Sequence, residues 1–402
     1  MNKRSGSPRP AILLTVNAWW SWPARLAQAL LHYGCDVDLL CATGHPAASV
    51  PGIRHVRRYD LGSTERRLHA ALSCADHDLV IPCGDVPWLQ LQRIRDGETR
   101  HAGLLRRSLG AKAARNTLAS RYATLELARE LGIRIPHSAR ARSVADLRVW
   151  HAQPGTACVL KADYSNGGAG VAIAHEFDAS LAAWRRLHTR PGLARAMAQR
   201  YLSRVPLALW SRGQLHGQDV PVTLQDFVDG EPANALFYCR DGQVLGSSAV
   251  IAVRTADATG PATVVRPYDH ADMIEAGCAL IRRLDLSGFV GLDFMIERST
   301  KLPYLIEVNP RCTPIGHIEL PNVGSLAAIV AADLGAAAPA APWQPVTQPS
   351  IALIGGLRPD QEVPADTYLD LPEDRELARR LTLPPQPQRS PLHRLFKLLT
   401  RQ

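Results

Sequence analysis

The sequence predicts an α/β fold, and three of its features indicate this. Across roughly the first hundred residues, short apolar stretches alternate with amphipathic helical ones, which is typical of a parallel sheet. A strand, a glycine-rich loop and another strand follow at 158–174. Two stretches with period-two alternation, 288–297 and 304–311, predict an antiparallel hairpin. We therefore expect a Rossmann-like parallel sheet, then an α+β unit, then a small C-terminal extension.

The composition is that of an ordinary globular protein and excludes several classes. No apolar run among the 402 residues is long enough to span a bilayer, so we expect no membrane partner. The eight cysteines are scattered without a C-x-x-C pair, which argues against zinc and disulfides and fits a reduced cytoplasm. The net charge of +9 comes from arginines spread along the chain without a nucleic-acid motif. We take the charge as a solubility feature with a bias toward anionic ligands, and we expect no nucleic acid.

The N-terminal region supplies the elements of the parallel sheet. Strands are predicted at 11–16, 36–41, 53–57 and 78–81, with helices at 22–33 and 65–74. Ligands of such sheets lie beyond the carboxyl ends of the strands, which places the loops 17–20 and 82–85 near a ligand. No G-x-G-x-x-G follows the first strand, so a dinucleotide is disfavoured.

The middle of the chain contains a candidate phosphate-binding loop. A helical pattern covers 108–131, and the glycine-rich loop follows a strand that carries Lys161. Glycines allow backbone N–H groups to approach a phosphate closely, and a preceding Lys can reach its charge. The loop lacks the G-K-[ST] of a P-loop and leads into a strand, so Walker A logic does not apply. Taken alone, such a loop is more often only a turn.

The hairpin contains a candidate metal site. Folding it about Thr300 sets Asp293 opposite Glu307, with Asn309 on the same face. Facing carboxylates repel each other, and a shared cation removes this penalty; carboxylate and amide oxygens are ligands that Mg²⁺ prefers. A sheet with one wet, acidic face explains the same pattern. Both explanations stay open at this point.

The other elements complete the prediction. The sequence indicates a strand at 222–228, a hairpin over 235–239 and 244–252, helices at 146–151, 180–200, 271–284 and 325–334, an Ala/Pro-rich linker at 336–349, a strand at 351–354 and a helix at 373–381. A basic amphipathic helix is predicted at 390–401 and is expected to pack on the body of the protein.

Taken in order, these pieces resemble the ATP-grasp superfamily over about residues 10 to 335. The resemblance rests on a helix ending in Gly132-Ile133-Arg134-Ile135-Pro136, on Lys161 with its glycine loop, on the segment 224–231, and on Gly291-Leu292-Asp293-Phe294 followed by Glu307-Val308-Asn309-Pro310-Arg311. It implies an N-terminal domain at 1–104, a two-subdomain ATP-grasp catalytic domain at 105–335 and an extension at 336–402.

The resemblance also implies a site for ATP and Mg²⁺, with Mn²⁺ as an alternative ion. The implied ATP-binding residues are Lys161, Arg121, Asn166, Gly167, Gly168, Gln225, Asp226, Phe227, Val228 and Glu231. Asp293, Glu307 and Asn309 would hold the metal. The family usually has a Lys where this chain has Arg121, and Lys112 is the alternative for that contact. An Arg supplies the charge as a forked donor and not as a point charge.

The implied function is that of an ADP-forming carboxylate–amine ligase, which makes an amide through an acyl-phosphate. Small carboxylates and amines of the amino-acid kind are the expected substrates. Arg311 would lie near the transferred phosphoryl group, and Arg254 near the acceptor. The rivals are an enzyme that activates bicarbonate, like biotin carboxylase or a carbamoyl-phosphate enzyme, and a non-catalytic nucleotide-binding protein. The sequence leaves a homodimer open.

Overall fold

The computed structural model describes most of the chain between residues 9 and 383. The described ranges are 9–59, 64–97, 100–153, 157–163, 168, 170–190, 192–202, 205, 207–215, 218–321, 323–339, 341–357 and 363–383. The helix predicted at 390–401 lies outside them, as do Asn166 and Gly167 of the glycine loop.

The N-terminal region forms the parallel sheet that the sequence predicts. Its elements are β1 (Ala11–Thr15), α1 (Trp22–His32), β2 (Asp36–Ala42), β3 (His55–Tyr59), α2 (Thr64–Leu72), β4 (Leu79–Pro82), α3 (Asp85–Gly97) and α4 (Ala102–Leu109). In the described chain the strand order is β3-β2-β1-β4, and all pairs are parallel. Leu13 and Leu14 of β1 are both fully buried, since helices cover both faces of the sheet.

The helical pattern predicted over 108–131 corresponds to several short helices and not to one continuous helix. After α4 come a 3₁₀ turn, α5 (Arg115–Leu118) and α6 (Arg121–Glu130). The break follows Gly110, whose φ of +81° is left-handed. A Cβ at Gly110 would lie 2.5 Å from the backbone of Asp285, so this turn packs directly on the later chain. Helix α6 restarts at Ser120, whose hydroxyl accepts from the Ala123 N–H.

A small antiparallel sheet follows. Its elements are β5 (Ser138–Arg140), α7 (Val144–His151), β6 (Cys158–Ala162), β7 (Val171–Ala174), α8 (Phe177–His188), α9 (Leu193–Tyr201), α10 (Ala208–Gln214) and β8 (Val222–Asp226). The strand order in the described residues is β5-β8-β6-β7. Leu147 of α7 and Leu160 and Leu224 of the sheet centre are fully buried in a core of their own.

A larger sheet carries the hairpin. Its elements are β9 (Gly230–Arg240), β10 (Gln243–Thr255), β11 (Ala262–Pro267), α11 (Ala271–Leu284), β12 (Gly288–Glu297), β13 (Pro303–Asn309), α12 (Leu326–Asp333), β14 (Ser350–Ala352), β15 (Thr367–Leu369) and α13 (Arg375–Thr382). Among the described residues the order is β13-β12-β9-β10-β11-β14-β15. Strand β11 was not predicted, and the C-terminal strands β14 and β15 extend the same sheet. The domain boundaries stay a prediction.

The N-terminal sheet and the large sheet share their cores. Leu14 of β1, Leu30 of α1, Val330 of α12 and Ile351 of β14 belong to one cluster of buried side chains. A buried ion pair joins the same parts, because Arg25 Nε lies 2.8 Å from Asp370 Oδ1. In the part of the chain that the structure describes, none of the helices has both the length and the apolar character needed to cross a bilayer.

Candidate functional site

The hairpin of β12 and β13 keeps the predicted register from Gly291 to Asp293, and a β-bulge shifts the pairing by one residue from Phe294 to Ile296. Asp293 pairs directly with Glu307 across the two strands, which confirms the facing carboxylates. Asp293 accepts from two amides: Asn309 Nδ2 at 2.8 Å from Oδ2 and Asn234 Nδ2 at 2.7 Å from Oδ1. Thr313 in turn donates to Asn234 Oδ1 at 3.0 Å. The Asp293 side chain is therefore fixed by neighbouring strands before any ligand binds.

Cations from two other elements meet Glu307. Arg121, at the start of α6, lies with Nη2 at 2.7 Å and Nε at 3.2 Å from Glu307 Oε1, and also donates to the Ala162 carbonyl. Lys161 of β6 is only 6% exposed, and its Nζ lies 3.2 Å from the Ile306 carbonyl. The small sheet thus presents its Lys to the end of β13. Lys112, the alternative for this contact, lies elsewhere, with its Nζ 3.1 Å from Asp96 Oδ1. Of the two candidate cations, the structure therefore places Arg121 at Glu307.

Burial and charge set the protonation of this cluster. Burial and the adjacent Glu307 raise the pKa of Asp293 above its ordinary value. Burial would also raise the pKa of Glu307, but Arg121 and Lys161 outweigh it, so that pKa is lowered. Burial lowers the pKa of Lys161 to about 8, against the opposite effect of Glu307. A metal cation bound beside Asp293 would lower its pKa and favour the charged carboxylate.

Arg311 connects the hairpin with the N-terminal sheet. Its Nε lies 2.7 Å from Asp85 Oδ1, and its Nη2 donates to Asn309 Oδ1 at 3.1 Å. Its guanidinium carbon lies 5.5 Å from the centre of the Trp20 ring. Asp85 and Trp20 belong to the two loops that the sequence placed at the carboxyl edge of the parallel sheet, and the structure brings both to Arg311.

The connection from β8 to β9 leads from the small sheet to the large one. Gln225 is 1% exposed, and within the described residues its Nε2 has no hydrogen-bond partner. Phe227 is 37% exposed, and its N–H donates to the Ala157 carbonyl. Asp226 and Val228 are half-buried, and Glu231 of β9 pairs with Ile296 of β12. An exposed aromatic ring two residues from a buried amide nitrogen without a partner suits a flat heteroaromatic ligand.

The glycine loop touches the large sheet at its described end. Gly168 has a φ of +79°, and a Cβ there would lie 2.4 Å from the Thr259 carbonyl oxygen in the turn between β10 and β11. Arg254 is an exposed residue of β10, in register with Val264 of β11. Its role at the acceptor stays a prediction.

Two polar residues of the cluster were missed by the sequence reasoning. Asn234 interrupts an otherwise apolar strand, and that interruption was the available signal. Asp163 follows β6 and accepts from the Arg121 backbone N–H at 3.3 Å. Burial raises the pKa of Asp163 to about 6. A carboxylate just before a glycine loop carries no signal of its own in the sequence.

Comparison with known proteins identifies the middle of the chain. No curated protein matches its sequence. Residues 118–314 match the sequence profile of a family described as ATP-grasp domain. Solved structures with a similar fold share little sequence with it, and three of them illustrate the range.

The N5-carboxyaminoimidazole synthase of Aspergillus clavatus, in complex with ADP and 5-aminoimidazole ribonucleotide, is 16% identical with a TM-score of 0.57, covering 85% of this chain and 80% of its own. Biotin carboxylase of Campylobacter jejuni is 13% identical with a TM-score of 0.58, and the match covers 83% of this chain and 72% of the biotin carboxylase chain. The L-amino acid ligase of Bacillus licheniformis is 13% identical with a TM-score of 0.56, and the match covers 83% of this chain and 77% of the ligase chain. Residues 118–314 thus form an ATP-grasp domain, and the chain has the fold of the ATP-grasp enzymes.

Proposed function

We propose that the protein is an ADP-forming ligase that joins a small carboxylate to an amine, with ATP as the source of energy. The facing pair of Asp293 and Glu307, surrounded by Arg121, Lys161 and Arg311, is the observation that carries the proposal. Two partly buried carboxylates and three cations in one cluster suit a polyphosphate with its metal, because each charge then has a partner.

The donor set fits Mg²⁺, with Mn²⁺ as the alternative ion. Asp293, Glu307 and Asn309 offer hard oxygen donors on neighbouring strand positions, and burial disfavours charge on Asp293 until a cation balances it. When bound, the ion would neutralise charge on the phosphates. The nucleotide base would stack on the exposed Phe227 ring, and the unpaired amide nitrogen of Gln225 would supply a hydrogen-bond donor. Glu231 and the backbone at Asp226 and Val228 would complete this end of the site.

The protein groups have distinct tasks in the reaction. Lys161 and Arg121 hold the phosphates in line with the substrate, and the glycine loop with Gly168 excludes water. An oxygen of the substrate carboxylate attacks the γ-phosphorus, and the bond from phosphorus to ADP breaks. Arg311, near the hairpin end, stabilises the charge on the transferred group. The amine nitrogen then attacks the acyl carbon, phosphate leaves with the carbon–oxygen bond pair, and the amine gives up a proton.

The acceptor side is proposed to lie between Arg311 and the loops of the N-terminal sheet. Trp20 and Asp85 contact Arg311 there, and Arg254 would approach from β10. The fold likeness to an L-amino acid ligase is consistent with amino-acid substrates. Loops form such substrate pockets, and a shared fold does not fix their specificity. The identity of the acid and of the amine is therefore a question for experiment.

A reaction that activates bicarbonate uses the same machinery and is the second candidate. Bicarbonate carries a carboxylate oxygen that can attack the γ-phosphorus in the same way. The fold likeness to biotin carboxylase and to N5-carboxyaminoimidazole synthase supports it equally. Measuring ADP release in bicarbonate-free buffer and again with added bicarbonate separates the two reactions.

The test of the ligase proposal is ADP formation from Mg-ATP with amino-acid mixtures, followed by mass spectrometry of the product. We expect Glu307→Gln to lower turnover by about a hundredfold or more, because it removes a metal ligand and the partner of Arg121. The matched control is Glu297→Gln at the far end of β12, where the carboxylate contacts only Thr300 among the described residues, and turnover should be unchanged.

Two results contradict the proposal. If neither amino acids nor bicarbonate raise ADP formation above background and Glu307→Gln changes nothing, the chain is not a ligase. If calorimetry then shows an ATP analogue binding equally well with and without Mg²⁺, the protein is a non-catalytic nucleotide binder.

A further inference from the structure

We propose that the N-terminal sheet holds a second metal ion, of the zinc class, between Asp38, His55, Cys74 and His77. Asp38 and His55 are paired in register on β2 and β3, while Cys74 and His77 lie in the connection from α2 to β4. This cluster is at the amino end of the parallel strands. The candidate active site uses the opposite, carboxyl end, so the second site goes beyond the proposed ligase reaction.

The donor atoms converge on one buried carboxylate. His77 Nε2 lies 2.9 Å from Asp38 Oδ2, and His55 Nδ1 lies 3.0 Å from Asp38 Oδ1. Cys74 Sγ lies 3.8 Å from Asp38 Oδ2. The side chains of Asp38 and His77 are almost fully buried, at 2% and 0% exposure. The Asp38, His55 and Cys74 donors all lie within 4.8 Å of one another.

The donor types select a zinc-like ion. Thiolate, imidazole and carboxylate together are the ligands of tetrahedral Zn²⁺, whereas Mg²⁺ takes oxygen ligands. In a zinc site the donors are about 3.5 Å apart, as bonds of about 2.0 to 2.3 Å require. The donors of Asp38, His55 and Cys74 therefore need a contraction of about 1 Å, which movement of the exposed His55 and the partly buried Cys74 can supply, and His77 at 2.9 Å from Asp38 would be the fourth ligand.

Arg54 occupies the place of the cation in this structure. Its Nε and Nη2 donate to the two oxygens of Asp38 at 3.0 and 2.9 Å. Its Nη1 already lies 3.5 Å from Asp36, and its side chain is 32% exposed. Arg54 can therefore shift to Asp36 and leave Asp38 to a metal. A guanidinium and a metal ion compete for one carboxylate, so loss of Arg54 should favour the metal.

The cysteine spacing that argues against zinc does not bear on this site. That argument concerns pairs of cysteines close in sequence, whereas these four donors come from β2, β3 and two positions before β4. A metal there would cross-link β2 and β3 to the connection that leads into β4. We therefore expect it to stabilise the N-terminal sheet.

The test is titration of the full-length, untagged and reduced protein with Co²⁺, followed by visible absorption. We expect one equivalent to bind with a thiolate-to-cobalt charge-transfer band, and Zn²⁺ to displace it. Cys74→Ser should remove that band, and Asp38→Asn should weaken binding by more than about tenfold. Arg54→Ala should tighten binding about tenfold, since the competing cation is gone. Cys278→Ser, a partly buried cysteine on α11, is the matched control and should bind like wild type.

Circular dichroism of each variant shows whether it is folded. If Asp38→Asn unfolds, Cys74→Ser still tests the site, because Cys74 contacts Asp38 from the edge of the cluster. The proposal is overturned if no charge-transfer band forms, if the band survives Cys74→Ser, or if Arg54→Ala binds no tighter than wild type. In those cases Asp38 is the centre of an ion-pair network and nothing more.

Discussion

At the residue scale, Lys161 is a side chain of the candidate site whose charge changes with pH close to neutrality. Burial lowers its pKa to about 8, so its ammonium loses its proton far below the pH at which an exposed Lys does. Phosphates bind the charged form. Nucleotide binding should therefore raise this pKa again and take up a proton from solution above pH 7.

We predict that nucleotide affinity is highest below pH 8 and falls as the pH rises through that value. Below it Lys161 is charged with or without ligand, and above it binding has to reprotonate the side chain. Calorimetry with an ATP analogue at pH 7 and pH 9, in buffers of different ionisation enthalpy, measures both the affinity and the proton uptake. Lys161→Arg, which stays charged, is the control, and an unchanged pH dependence in this variant would contradict the prediction.

Arg121 shows why a forked cation matters at this position. It reaches Glu307 through two nitrogens and the Ala162 carbonyl through a third, and its side chain is 13% exposed. A Lys has one nitrogen and can replace only part of this set.

We predict that Arg121→Lys lowers the free energy of unfolding by about 1–3 kcal/mol and weakens nucleotide binding. Arg129→Lys on the same helix is the matched control, because that side chain is 62% exposed and pairs only with Glu126 among the described residues. Urea unfolding with and without Mg-ATP measures both effects. Equal losses in the two variants would mean that the contacts of Arg121 carry no special weight.

At the element scale, two glycines let helix α4 approach strand β12. Gly110 follows α4 and Gly288 begins β12, and both have left-handed φ values, of +81°. A Cβ at Gly288 would lie 2.1 Å from the Ser108 carbonyl oxygen. The strand that carries Asp293 is therefore seated directly on the end of α4.

We predict that Gly288→Ala lowers the free energy of unfolding by about 2–4 kcal/mol, through the strained φ together with the clash. Gly132→Ala is the matched control. Its φ is also left-handed, at +76°, but nothing lies within 4 Å of its Cβ position, so only the strain of about 1 kcal/mol remains. Thermal unfolding of both variants checks the difference, and similar shifts would argue against the close approach.

The same elements show how far sequence reasoning reaches. The facing of Asp293 and Glu307 was predictable from period-two alternation around a short polar turn, whereas the β-bulge between Asp293 and Phe294 was not predicted. The break of the helical stretch after Gly110 depends on a contact with Asp285, which no local pattern contains. Strand β11 was missed because it is short, ends at Pro267 and pairs with β10 through a bulged register that no local pattern shows. The contact of Arg311 with Asp85 likewise joins distant segments, and only the general rule for carboxyl edges hinted at it.

At the scale of the whole molecule, a buried ionic cluster ties three regions together. Asp370 follows β15 and contacts Arg25 of α1 at 2.8 Å and His317 at 3.0 Å, and all three side chains are at most 1% exposed. His317 lies in the loop that begins with Arg311. The C-terminal segment therefore holds the N-terminal sheet against the loop that leaves the candidate active site.

We predict that Asp370→Asn lowers the free energy of unfolding by about 3–5 kcal/mol, because Arg25 is left buried without its counter-ion. Burial would raise the pKa of Asp370, but His317 and Arg25 lower it to about 2. The pair thus stabilises the protein above the unfolded-state pKa of about 4, and this contribution is lost as the pH falls toward 2. Urea unfolding between pH 7 and pH 3 measures it.

Asp366→Asn, at an exposed position in the same segment, is the control and should leave both the stability and its acid dependence unchanged. If Asp370→Asn behaves like Asp366→Asn at neutral pH, the cluster does not hold the regions together.

The contact between Arg25 and Asp370 also bears on the order in which the protein matures on the ribosome. The two residues are 345 positions apart, and a nearby bond from the Ser21 hydroxyl to the Leu381 carbonyl spans 360. Arg25 of helix α1 is synthesised 345 positions before Asp370, so its counter-ion becomes available only after that intervening chain has been made. During translation the N-terminal sheet therefore cannot bury Arg25 next to its counter-ion until the segment around Asp370 has left the ribosome.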